Sequence, residues 1–189
     1  MLIKRNAAIG GMLCGLILLQ PKVQAFVLQG EKFLVAETRE GQQTRIGHVE
    51  FTPAGAGQAK IRVRMDHAVM RDHFLSMREF KCLAAALEVT CHVPYPYANP
   101  ATVSLDNWQW LDHNLLFLYK KPEDFGAKLW NGIIYRWRMT PTGLEGLPQA
   151  VDLNLISAPP DRLDQPPYGP ADSEPFAPDA RWIRKLRIE

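Results

Sequence analysis

The chain reads as an all-β domain with minor α content: an antiparallel barrel or sandwich of about eight to ten short strands, followed by a proline-rich tail. Three observations predict this. Short runs with apolar residues at every second position recur between clusters of glycine, proline and small polar residues. No stretch keeps apolar residues at helical spacing for three turns. After residue 157 the apolar runs give way to proline, seven of them between 159 and 178.

The opening of the domain carries the clearest periodicity. Residues 59–65 alternate Ile61, Val63 and Met65 with Lys60, Arg62 and Arg64, so one face of that strand is apolar and the other basic. Residues 44–51 precede it across the breaker cluster Pro53–Gly57, and Phe33–Glu37 forms a further strand upstream. Three antiparallel strands with short connections follow from this spacing. A polar connection over Asp66–Asp72 then leads into a strand over Phe74–Cys82.

Cys82 and Cys91 sit in strand-like flanks on either side of the short segment Ala84–Glu88, so they are expected to face each other across a hairpin as a structural disulfide. Their spacing is not the Cys-x-x-Cys of thiol–disulfide enzymes. The prolines of Pro94–Pro100 exclude a central strand there, since each removes a ladder donor. Short strands are expected at Thr102–Leu105 and Leu115–Tyr119, a helical turn at Glu123–Leu129, a long strand over Gly132–Met139 and another over Ala150–Ile156.

Four segments result: an export signal over 1–25, an antiparallel β domain over 26–157, a proline-rich extended or mobile segment over 158–180, and a basic amphipathic end over 181–189. Lys4 and Arg5 precede the uncharged apolar stretch Ala7–Leu19, and Val23-Gln24-Ala25 offers small residues for cleavage near Ala25. Thirteen residues of helix span roughly 20 Å, too short for the ~30 Å core of a bilayer. The expected location is therefore the periplasm or the outside of the cell, with no transmembrane span after cleavage. Export also explains the charge. The whole chain carries +2, but Lys4, Arg5 and Lys22 belong to the leader, and without them 19 basic residues face 20 acidic ones. A globally basic nucleic-acid binder is excluded.

Local catalytic motifs are absent: no Gly-x-Ser-x-Gly, no Ser-x-x-Lys, no glycine-rich phosphate loop and no His-Glu-x-x-His. No cofactor and no metal ion is called for. Three Asp-His dipeptides are unusual, and His73, His92, Asp112 and His113 would be the members of any acid–base or metal cluster, because each lies at an expected strand end. Turn hydrogen bonding is the plainer role for such residues.

The aromatic residues Tyr95, Tyr97, Trp108, Trp110, Trp130, Tyr135 and Trp137 gather in the second half of the domain. Trp108 with Trp110, and Tyr135 with Trp137, would each share one strand face, leaving Arg136 and Arg138 on the opposite, wet face. Such rings either fill the core or line a cavity for a small apolar or amphipathic ligand. The leading expectation is an exported, non-catalytic β-domain that binds such a ligand. A metal-assisted hydrolase built on the His/Asp cluster is the first alternative. The second is a cell-envelope interaction module that docks on a protein or on anionic lipid through 181–189, where Trp182, Ile183 and Leu186 lie among four basic residues.

Overall fold

A computed structural model describes residues 26–75 and 79–189. The expected export signal lies outside the described residues. Among the described residues twelve strands form one antiparallel sheet, with a single short α-helix and three 3-10 turns beside it. The all-β reading with minor α content holds. The sheet does not close into a barrel, and it holds more strands than expected.

The first three strands are β1 (Gly30–Thr38), β2 (Gln43–Gly55) and β3 (Gln58–Met65), a meander matching the period-two runs. Gly55 and Gly57 turn β2 into β3 with φ of 82° and 72°, values open to glycine at no steric cost. The single strand expected over Phe74–Cys82 is instead two, β4 (Arg71–Phe74) and β5 (Glu79–Ala84), paired as a hairpin. β6 (Val89–Val93) returns along β5 and places Cys91 directly opposite Cys82, and the two are disulfide-bonded. The short strand β7 (Thr102–Ser104) edges β3.

Residues Gln109–Asn114 form the helix α1, which the tryptophan spacing had suggested as a strand. Trp108 and Trp110 therefore share no face. Trp108 packs on Phe26, and Trp110 packs against Tyr95 and His113. β8 (Leu116–Lys120), β9 (Gly132–Thr140) and β10 (Gly143–Val151) follow. The helical turn expected at Glu123–Leu129 is replaced by a loop ending in a 3-10 turn at Leu129–Asn131. The strand expected over Ala150–Ile156 ends at Val151 and becomes a 3-10 turn at Leu153–Ile156, whose first turn is capped by Asp152 accepting from the Asn154 N–H.

The strand order β4-β5-β6-β8-β9-β10-β12-β1-β2-β3-β7 holds the main surprise. β12 (Ile183–Ile188) is the basic amphipathic end of the sequence analysis, and it lies in the middle of the sheet. Its apolar residues Ile183, Leu186 and Ile188 are buried and so are not free to insert into a partner or a bilayer. Opposite Leu34 and Leu144 stands Ile188, and opposite Ala36 and Gly146 stands Leu186. The Trp137 ring lies 3.0 Å from where a Cβ on Gly146 would sit, so a side chain there would have to push the ring back by a few tenths of an ångström. On the alternate face an ion ladder crosses four strands: Arg138–Glu145 at 2.6 Å, Glu145–Lys185 at 3.0 Å and Lys185–Glu37 at 3.5 Å. The paired cations hold the Glu145 carboxyl below its usual range.

β11 (Glu174–Pro175) pairs with the far half of β10, on the same edge as β12. An unbroken strand would bring residue 178 opposite Gly146, where Leu186 stands instead, so the lane is interrupted by an excursion of eight residues. Pro148 lies in β10 at that interruption and has no N–H to give.

Two outcomes are expected of this architecture. Ending the chain at Arg181 removes the strand joining the two halves of the sheet, so cooperative thermal unfolding is lost; a truncated protein melting like the full chain would contradict the topology. Replacing both cysteines by alanine opens a short cross-link and should lower stability by about 2.7 kcal/mol, read from urea midpoints.

Candidate functional site

Two features stand out where the irregular segments cross the sheet. The first is a groove of about 460 Å³. Its floor comes from Phe80, Val93 and Leu118, which the pairing register places on one face of β5, β6 and β8. Pro94 and Pro96 form one wall, Ala127 and Leu129 another, and Leu153 and Ile156 of the second 3-10 turn a third. Among the described residues, Ser157 is the only lining residue with a polar side chain. The prolines matter twice: they end β6, and they present ring carbons where a strand would present a backbone ladder. A cleft of this size and composition takes a small apolar molecule. The disulfide is buried on the same face, beside the floor.

The second feature is a buried polar network around α1. Arg136 on β9 donates from Nη1 to Asp112 Oδ2 at 2.7 Å, and from Nη2 to the Gly169 carbonyl at 2.7 Å and Ser173 Oγ at 3.0 Å. The Ser173 hydroxyl in turn donates to Gln149 Oε1 at 2.6 Å. Asp112 is 4% exposed, and its second oxygen is buried without a partner among the described residues. Burial pushes its carboxyl up to about 7, outweighing the Arg136 guanidinium. The alternation that put Arg136 and Arg138 on one face is correct. The wet environment applies only to Arg138, because α1 and residues 168–173 lie over Arg136.

His113, next to Asp112, works in the same direction. Its Nδ1 donates to the Gln109 carbonyl at 2.7 Å, and its Nε2 accepts the Tyr168 N–H at 3.0 Å. The second bond requires the neutral ring. The Tyr168 ring stacks on the imidazole at 5.5 Å, and its hydroxyl donates to the Asp152 carbonyl at 2.9 Å. Residues 168–173 of the proline-rich segment are thus fastened by Arg136, His113 and Tyr168. The chemistry of this cluster is anchoring.

The four residues singled out as a polar cluster do not converge. His73 on β4 stands opposite Phe80, whereas His92 on β6 stands opposite Lys81, so the two imidazoles project from opposite faces of the sheet. His92 bonds the Asn114 carbonyl at 3.0 Å and packs on Phe117. Among the described residues no three His, Cys, Asp or Glu side chains gather closely enough to hold a metal ion.

The aromatic residues are mostly structural. Tyr95, Trp108, Trp110, Tyr135 and Trp137 are buried in the core, with Tyr135 edge-on to Phe117. Tyr97 is half-buried and donates to the Ile156 carbonyl at 3.0 Å, which holds the turn that walls the groove. Trp130 is 63% exposed. None of the seven lines the groove, whose described lining is aliphatic apart from Phe80 and Ser157. Arg136, Tyr168 and Ser173 were not singled out by sequence reading. Proline spacing signals an extended path, but it does not say what that path lies against.

Comparison with family models, with curated proteins and with solved structures finds no match.

Burial holds both His92 and His113 down at about 4, against an ordinary value near 6.5. The unfolded chain takes up protons at these rings before the folded one does, so stability falls as pH drops from about 6.5 towards 4. Asp112 contributes with the opposite sign, since its raised carboxyl favours the folded state at low pH and loses that contribution as pH rises through about 7. Two rings against one carboxyl leave a net loss in acid. Urea midpoints should fall between pH 6.5 and 4.5, and replacing His113 by Phe should flatten that slope. Equal slopes in the two proteins would exclude the anchoring role.

Proposed function

We propose that this chain is an exported, non-catalytic β-domain that binds a small apolar or amphipathic molecule in the groove over β5, β6 and β8. The observation that carries the reading is the groove itself: some 460 Å³ of space walled by leucine, isoleucine, valine, alanine, proline and phenylalanine. Apolar surface left open to water favours an apolar occupant by about 25 cal/mol for each Å² it covers. The floor belongs to regular strands and is stiffened by the disulfide, while the walls are turns, so the site combines a fixed base with adaptable sides. The hydrogen bond from Tyr97 to the Ile156 carbonyl, and the anchoring of residues 168–173, hold those walls without placing a reactive group in the space. Periplasmic or extracellular residence accords with the bonded cysteine pair and with the leader-like stretch over 1–25.

Titration with N-phenylnaphthylamine, a neutral apolar fluorophore, tests the reading. The parent protein should give saturable fluorescence enhancement that lauric acid reverses. Ala127→Trp fills one wall of the groove and should weaken the probe roughly tenfold or more, a loss of about 1.4 kcal/mol, with the melting temperature retained. Non-saturable binding in the parent, or an unchanged affinity in Ala127→Trp, would remove the proposal.

A further inference from the structure

A second, larger cavity of about 530 Å³ opens at the end of β8. The turn between β5 and β6 and the loop following β8 meet across it. Lys120, Lys121 and Lys128 line it, and none of them has a carboxylate within ion-pair distance among the described residues. The cavity's two arginines are already engaged, Arg39 with Glu40 at 2.8 Å and Arg181 with Glu88 at 3.3 Å. Arg181 is further committed by stacking 3.5 Å over the Tyr119 ring. Of the acids in the loop, Asp124 is occupied in accepting the Lys121 backbone N–H at 3.2 Å, and Glu123 is exposed.

Large exposed apolar side chains lie on the same two segments as these lysines and the cavity wall. Phe125 is 92% exposed, Leu87 72% and Trp130 63%, and burying them in the protein core would be the ordinary outcome. A loop that carries lysines and exposed aromatic residues within a few positions of one another suits the boundary between lipid headgroups and acyl chains, where tryptophan is favoured. A second copy of the chain is a poor occupant, because a two-fold contact would bring the same three lysines together. The rest of the molecule is slightly acidic in sum once the leader is set aside, so an anionic surface is attracted to local groups of unpaired cations such as these three lysines.

We infer that this end of the molecule, the β5–β6 turn with the loop 121–131, docks on an anionic phospholipid bilayer, with Phe125 and Trp130 entering the interface and Lys120, Lys121 and Lys128 lying against the phosphates. The surface is distinct from β12, whose basic residues are tied into the sheet. Ala127 and Leu129 of the same loop wall the apolar groove, but the lysines and aromatic rings named here are not among its lining residues.

Co-sedimentation of the full chain with vesicles decides the matter. Binding should be roughly tenfold stronger to phosphatidylcholine mixed with phosphatidylglycerol than to phosphatidylcholine alone, and should weaken as salt is raised. The double variant Phe125→Ser, Trp130→Ser should lose most binding to both vesicles. The triple variant Lys120→Gln, Lys121→Gln, Lys128→Gln should lose the preference for the anionic ones. The apolar stretch near the N-terminus is identical in all forms, so differences between forms report on the loop. Melting temperatures should be unchanged, since the altered side chains are at the surface; a variant that melts early is replaced by the single change Phe125→Ser. Equal binding to both vesicles, or variants that sediment like the parent, would overturn the inference. Displacement by millimolar inorganic phosphate would do the same, by showing a site for the free ion, as would retention only when a second protein is added.

Discussion

The insertion of β12 between β10 and β1 is the constraint on which the rest of the structure depends. Without it the molecule is two meanders, each with an open edge. With it, Leu186 and Ile188 complete an apolar face running from Trp137 across Gly146 to Ala36, and Lys185 completes an ion ladder on the reverse face. The two faces enforce one register. A slip of one residue would carry Lys185 into the apolar layer and Leu186 into the ladder. The strands joined in this way lie far apart in the chain, so the centre of the sheet is assembled from its least local contacts, an arrangement that slows folding.

The polar network follows from that arrangement. To reach its lane beside β10, the chain must first travel from the 3-10 turn at Leu153–Ile156 across the outside of the sheet. Prolines keep this path extended and reduce the entropy lost in ordering it, but they also deprive it of ladder donors. Arg136, Asp112 and His113 supply what the ladder cannot, bonding the path at Tyr168, Gly169 and Ser173. Burying a carboxylate, a guanidinium and an imidazole is tolerated because nearly every atom of the set finds a partner. The exception, Asp112 Oδ1, coincides with the carboxyl whose protonation burial favours most.

Much of the fold was legible in the sequence; what escaped was either too short to show a period or fixed by contacts distant along the chain. Alternation such as Ile61, Val63 and Met65 reports a strand with one covered face, and those elements appear where expected. The cysteine pair was legible because its flanks define a hairpin register. The helix α1 was not: at six residues it is too short to show a helical period, and Trp108 and Trp110 mimic a strand. Long-range placement left no local trace at all. Nothing in 181–189 distinguishes a surface strand from a central one, because Arg184, Lys185 and Arg187 reach carboxylates that are distant in sequence or lie on the sheet rim. Of the site, the apolar composition was readable but its members were not. Most of the rings that suggested a cavity fill the core, and the groove is lined mainly by aliphatic residues and prolines drawn from five separate segments.

The broken lane beside β10 carries an evolutionary corollary. Because β11 and β12 are each clamped on the same neighbouring strand, the residues looping out between them can lengthen or shorten without shifting the registration at either side. This is the place where descendants of the sequence could acquire inserts, epitopes or whole grafted modules while the pleated framework stays unaltered.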